Sequence, residues 1–353
     1  MFAAVSLASA LLLAVVTPGW TRPVEEEPVN PRPGPVSRAG QQGWRQQQAE
    51  MVTGDGEVLP AWVVLPARPV GPLVPGVVLV TGAGPASRDR MLQQAQTLAE
   101  VGVASISYAK RKTGYSAVSR DFDQLADDAL RAAEVLADAP GVDPTDVGLL
   151  GFSEGGWVVP VAARRAPDRV AFVVLASAPV VTPLEQAAWL VDRRMFGAPD
   201  WMRRVPAVAL ASGRGLIGYL DADVRPALAE VAVPVYAVWG AEDDVVPVSA
   251  ALRRVDASVA GPVTAVLVPG VGHGLPIGAG WLGGVADWIR SPATGSTVTG
   301  VEPVSTTGVA TTPRTSWINQ PIWSILVAAA LAVVVLRRPQ RRDSCGMKIH
   351  PAR

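Results

Sequence analysis

Gly151-Phe152-Ser153-Glu154-Gly155 sets one serine between two glycines. A short apolar run, 147–150, precedes it, and a helix-forming stretch, 154–164, follows. That spacing makes a sharp strand-to-helix turn, in which only small flanking residues fit and from which the hydroxyl projects off the strand end. A serine hydroxyl is a weak nucleophile until a base takes its proton. The chain has two histidines, His273 and His350. His350 lies beyond a long apolar run near the C-terminus, so Val271-Gly272-His273-Gly274 is left to supply the base. An acid must orient that imidazole. Gly240-Ala241-Glu242-Asp243-Asp244-Val245-Val246-Pro247 offers three carboxylates between serine and histidine, the chain order Ser…acid…His. The spacing from Gly240 and to Pro247 favours Asp243, with Asp244 and Glu242 as alternates.

Acyl transfer through such a triad also needs two N–H groups aimed at the developing oxyanion. The residue after the nucleophile, Glu154, supplies one backbone N–H. The loop Gly82-Ala83-Gly84, after an apolar run at 77–80, supplies the other, with Ala83 favoured. The same glycines could open a dinucleotide fingerprint. Position 87 is serine instead of the third glycine, and the run 104–108 ends in Ala109-Lys110 without a ribose-binding acid, so a nucleotide fold is set aside. The triad chemistry calls for no metal and no organic cofactor. One cysteine, Cys345, allows neither an intrachain disulfide nor a thiolate metal cluster.

These residues need a frame. Between 43 and 290, short apolar runs alternate with helical patterns. A hairpin is expected at 44–51 and 58–65, turned by Thr53-Gly54-Asp55-Gly56. Strands are expected at 77–80, 104–108, 147–150, 171–176, 235–239 and 264–268. Helices are expected at 123–137, where Leu125, Ala129, Leu130, Ala133 and Leu136 share a stripe, at 154–164 with a kink at Pro160, at 249–258 and at 281–290. Apolar strands alternating with helices imply a mostly parallel sheet covered on both faces. The interval 182–230 is too long for a plain connection and carries Trp189, Phe196, Trp201, Met202 and Tyr219. We read it as a helical lid, suited to an apolar acyl group.

The pieces resemble an α/β-hydrolase of the serine hydrolase group that includes dienelactone-hydrolase-like proteins, S9/S33-type peptidases and acyl esterases. Val80-Thr81-Gly82-Ala83-Gly84-Pro85 with Arg88-Asp89, Asp127-Asp128-Ala129, Val147 through Trp157, Gly240 through Pro247 and Gly272-His273-Gly274 carry the resemblance, which spans residues 44–290. It implies the α/β-hydrolase fold and a triad of Ser153, Asp243 and His273, without fixing a substrate. Two departures stand out. Thr81 occupies the place where the group commonly has histidine. Ala109-Lys110-Arg111-Lys112 stands where Asp-x-Arg-Gly is usual, a change expected to remove a structural ion pair.

The ends of the chain read differently. The apolar run 2–16 has the length of a signal-peptide core, making 1–19 a secretory signal or an uncleaved anchor. Residues 20–42 and 291–316 are rich in Pro, Glu, Ser, Thr and Gly and read as linkers. Residues 322–336 are apolar on every face, and counted from Trp317 the segment 317–336 is long enough to cross a bilayer core of about 30 Å. Trp317 and Trp323 near its start suit the interfacial belt, and Arg337-Arg338 and Arg341-Arg342 follow it as a positive-inside stop. The tail 337–353 is then cytoplasmic and the catalytic domain, 43–290, extracytoplasmic, joined to a membrane by the C-terminal helix. With 31 basic and 31 acidic residues the net charge is zero, which argues against nucleic acid as a partner. A composition 49% hydrophobic and 18% charged excludes a disordered chain. The expected partner is a small acyl substrate or a peptide. Hydrolysis of an ester, thioester or amide is the expected activity, esterase ahead of peptidase, with a non-catalytic binding module as the alternative of another class.

Overall fold

The computed structural model describes residues 43–69, 71–194 and 217–291. Eight strands form one sheet: β1 (Trp44–Val52), β2 (Val58–Pro66), β3 (Val74–Val80), β4 (Ala104–Tyr108), β5 (Val142–Phe152), β6 (Val173–Ala176), β7 (Val235–Gly240) and β8 (Val263–Val268). Their spatial order is β1-β2-β4-β3-β5-β6-β7-β8. β1 with β2 and β2 with β4 pair antiparallel; every later pair is parallel. This is the α/β-hydrolase arrangement.

Alternation along the strands divides the interior in two. Val78 and Val80 of β3 and Leu149 of β5 face one core, whereas Val77, Leu79 and Leu150 face the other. Successive side chains in a strand point to opposite faces, so a buried parallel sheet must be apolar on both. Helices α2 (Phe122–Ala137), α3 (Gly155–Arg165) and α6 (Val248–Ser258) cover the first face; α1 (Leu92–Glu100) and α7 (Trp281–Arg290) cover the second. The α2 N-terminus is fixed by Asp121, whose Oδ1 accepts from the N–H groups of Asp123 and Gln124 at 2.9 and 3.1 Å. α3 runs through Pro160 as one continuous helix.

The expected strands and helices are present, several of them longer at one end, whereas the strand expected at 171–176 covers only Val173–Ala176. α1 is an element the sequence reading did not include. Its stretch is rich in glutamine, and Met91 at its N-cap position makes no side-chain capping bond.

The interval 182–230 contains helix α4 (Pro183–Arg194), a 3₁₀ turn at Gly218–Asp221 and helix α5 (Arg225–Ala229). Residues 195–216, with Phe196, Trp201 and Met202, lie outside the described residues. So do the expected signal or anchor at 1–19, the linker at 20–42, all but the first residue of the linker 291–316, the apolar span 317–336 and the tail 337–353. Among the described residues no helix is long and apolar enough to cross a membrane.

The two ends of the folded body meet the same turn. A Cβ placed on Gly43 would lie 3.2 Å from Glu100 Cγ, and one on Gly102 3.7 Å from Arg290 Cδ. The α1–β4 turn therefore stands beside both the entry into β1 and the exit from α7, at the edge where the parallel strands begin.

Candidate active site

The nucleophile turn follows from crowding at the other edge, where the parallel strands end. β5 stops at Phe152 and α3 starts at Gly155, leaving Ser153 with φ of 52°. A non-glycine residue in the left-handed region costs about 1–2 kcal/mol. The neighbours enforce it: the Ser153 N–H donates to Ala176 O at 2.9 Å, and a Cβ at Gly155 would come within 2.5 Å of Val80 O. No side chain larger than hydrogen fits there. Phe152 places its ring 5.6 Å from the imidazole of His273, centroid to centroid.

His273 arrives on the loop after β8. Two contacts fix that loop. Ser177, buried at the end of β6, donates its hydroxyl to His273 O at 2.9 Å. Gly240, at the end of β7, lies so close to the carbonyls of Val271 and Gly272 that a Cβ would collide with both. The imidazole then bridges two partners: Nε2 is 3.0 Å from Ser153 Oγ and Nδ1 is 2.8 Å from Asp243 Oδ2. A carboxylate can only accept, so Nδ1 carries the hydrogen and Nε2 offers its lone pair to the serine O–H.

Among the three candidate acids, the structure brings Asp243 to the histidine; Glu242 and Asp244 are exposed. The Asp243 side chain is fully buried, while that of His273 is 18% exposed. Its second oxygen, Oδ1, accepts from the N–H groups of Val245 and Val246 at 2.8 and 3.0 Å. Those bonds fix the carboxylate so that Oδ2 faces the ring.

The glycine loop after β3 lies directly on the nucleophile: a Cβ at Gly82 would be 3.2 Å from Ser153 Cβ. Among the described residues, neither the Ala83 nor the Glu154 N–H donates to a backbone or side-chain acceptor. Both expected oxyanion donors are thus left available beside Ser153.

The Glu154 side chain was not part of the expected site, yet it anchors a buried polar cluster. Its carboxylate receives Lys110 Nζ at 2.8 Å and the Tyr115 hydroxyl at 2.7 Å on Oε1, and Arg120 Nη1 on Oε2. Burial opposes charge on Glu154, but Lys110 and Arg120 outweigh it and hold the carboxyl below its usual range. Burial pushes the Lys110 ammonium below its ordinary value, and it raises the Tyr115 phenol, with the Glu154 charge adding to the effect. The Arg120 guanidinium stacks over the Tyr219 ring, 4.1 Å from its centroid, and so reaches the 3₁₀ turn of the 182–230 interval.

The Lys110-Arg111 segment also corrects an expectation. The departure from Asp-x-Arg-Gly does not remove an ion pair. Arg111 binds Asp128 through Nε and Nη2 at 2.7 and 2.9 Å, and it reaches Asp55 at 2.9 and 3.1 Å. Thr81, in place of the usual histidine, is buried in the loop beneath the site. Among the described residues no group of His, Cys, Asp or Glu is arranged to hold a metal ion.

Relatives agree with this architecture. The prolyl oligopeptidase family, Peptidase S9, matches over residues 115–280, the part that carries Ser153, Asp243 and His273. An uncharacterized protein of Mycobacterium tuberculosis is 30% identical over 204 residues, which are 56% of this chain and 63% of that one. The chain therefore spans less than two thirds of that curated relative. A putative dipeptidyl aminopeptidase IV from Bacteroides ovatus is similar over 71% of this chain and 36% of its own, with a TM-score of 0.52 and 14% identity. A Pyrococcus furiosus esterase is similar over 69% of this chain and 90% of its own, with a TM-score of 0.51 and 16% identity. At such identities the solved structures speak to fold alone. Sheet order, the strained serine turn and these similarities together show the α/β-hydrolase fold, with the part that carries Ser153, Asp243 and His273 similar to the prolyl oligopeptidase family.

Proposed function

We propose that the protein is a serine hydrolase that cleaves an ester, thioester or amide through an acyl-enzyme, with Ser153, His273 and Asp243 as its triad. The observation that carries the reading is the continuous hydrogen-bonded chain from Ser153 Oγ through both ring nitrogens to Asp243. His273 Nε2 takes the serine proton as Oγ bonds to the substrate carbonyl carbon. The carbonyl oxygen, now an oxyanion, receives the N–H groups of Ala83 and Glu154. His273 passes its proton to the leaving group as that bond breaks. Water, deprotonated by the same nitrogen, then attacks the acyl carbon, and Ser153 leaves with its proton restored. Asp243 keeps the ring in the required tautomer and stabilises the imidazolium.

An esterase is our first reading, taking an apolar acyl group. Support comes from the aromatic and leucine content of the 182–230 interval. A peptidase on the same triad is the second reading, favoured by the match to the prolyl oligopeptidase family. We also propose that residues 317–336 tether the body to a membrane with the catalytic domain on the outer side. The all-round apolarity of 322–336 and the arginines that follow support this.

A fluorophosphonate probe tests the core of the proposal. Wild type should be labelled at Ser153 and turn over a short p-nitrophenyl ester. Ser153→Ala should lose both while its thermal melt stays in place. Unchanged turnover in Ser153→Ala would remove that serine from the mechanism, and no labelling of wild type would favour a binding module. A chromogenic dipeptide panel run beside an ester panel separates the two hydrolytic readings.

A further inference from the structure

The buried cluster around Glu154 has a geometry that the triad does not require. Two of its members hold Glu154 and the oxyanion loop at once. Lys110 Nζ donates to Gly82 O at 2.5 Å as well as to Glu154. The Tyr115 oxygen accepts the Gly84 N–H at 2.9 Å while its hydrogen goes to Glu154. Lys110 and Tyr115 also meet each other, Nζ to the phenol oxygen at 3.2 Å. The loop carrying Ala83 is therefore gripped on both sides of that residue, at Gly82 and at Gly84. The other end of each grip is the side chain of the residue whose backbone N–H is the second oxyanion donor.

We infer that Lys110, Tyr115 and the Glu154 carboxylate are positioning residues that set the distance between the two oxyanion-hole N–H groups. The inference rests on the proposed serine hydrolase reading of the site. Its physical basis is rigidity. Two N–H groups from separate loops, one after β3 and one at the start of α3, must converge on a single oxygen. A misplacement of about 1 Å can lower the rate by about 100-fold. Among the described residues no backbone hydrogen bond runs directly between Gly82–Gly84 and Glu154; beyond the pairing of β3 with β5, the side chains make that link. Their burial shields the bonds from competing water, where a connected polar network is strongest. Arg120 balances the second carboxylate oxygen, leaving Oε1 for Lys110 and Tyr115.

The test uses the full chain with Tyr115→Phe and, separately, Lys110→Met. Each removes one grip and leaves the ring or the aliphatic stem in place. For a p-nitrophenyl ester, kcat should fall about 10- to 100-fold with KM unchanged. A trifluoromethyl ketone, whose hemiketal oxygen occupies the oxyanion position, should lose affinity by the same factor as kcat/KM falls. A merely structural role would not couple those two quantities. Should Tyr115→Phe fail to fold, Lys110→Met carries the comparison. Wild-type kcat and ketone affinity in the folded variant would overturn the inference. So would a kcat loss that leaves ketone affinity untouched. Wild-type turnover and fluorophosphonate labelling, measured in parallel, keep the cases apart. If wild type itself is silent the hydrolase reading falls; if wild type is active and the variants equal it, only the positioning role falls.

Discussion

Asp243 shows how neighbouring carboxylates become unequal. Three acids follow Gly240, and spacing favours the middle one without excluding the others. The fold separates them by burying one carboxylate, bonding its Oδ1 to two backbone N–H groups and aiming its Oδ2 at His273. Asp243→Asn should present the ring with an amide, allow the wrong tautomer and lower kcat by a factor on the order of 10⁴. Asp244→Asn, on the exposed neighbour, should leave kcat within about twofold. Steady-state ester hydrolysis of the two variants checks both statements, and equal losses would reassign the acid. Ser153 and His273 were legible because scarcity and chain order left few choices. The Lys110–Tyr115–Glu154 cluster was not. Its members are 5 to 44 positions apart in sequence, with no periodicity to connect them. In the sequence Lys110 falls at the free position of the Asp-x-Arg-Gly pattern, where nothing marks it, though the structure turns it into a contact.

The elements that position these side chains were legible where their pattern was strong. The hairpin, the striped α2 and the closing α7 all lie where periodicity puts them, because burial on one face imposes a period the residues must follow. α1 escaped notice for a physical reason: its buried face is only Ala95, Leu98 and Ala99, and small residues give little signal among glutamines. The 182–230 interval was legible as an insertion, and its docking is now partly visible. α4 is held to α6 by a two-pronged pair, Glu185 with Arg254 at 2.8 and 3.0 Å, and to the Asp243 loop by Gln186 Nε2 donating to Val245 O at 3.1 Å. The hydrogen bonds from Arg254 hold the Glu185 carboxyl down at about 2, against an ordinary value of 4.5. A carboxyl lowered on folding stabilises the fold above its unfolded pKa. That contribution fades as pH falls from 4.5 towards 2. Glu185→Gln should therefore melt below wild type at pH 7, and the two melting curves should converge as the pH approaches 2. The pair is partly exposed, so the gap at pH 7 should be small and should shrink in high salt. A gap that persists at pH 2 would show that the glutamine disturbs α4 in some other way.

The flanking segments give the folded body its surroundings. If residues 317–336 span a bilayer, the full chain should sediment with membranes through a carbonate wash and a chain stopped at residue 291 should not. Retention of the shorter chain in the pellet would shift the anchor to the N-terminal run or to the body itself. Both flanks leave beside the α1–β4 turn, where the strands begin, whereas Ser153 and His273 lie where they end. Seven residues of β3 put about 23 Å between those two edges. If either flank is rooted in a membrane, as proposed, the reacting serine lies on the pole opposite that root, and its mouth would turn towards open water. Molecules arriving by free diffusion would meet it directly, while lipids embedded in the supporting leaflet would have to be lifted out before they could be cut.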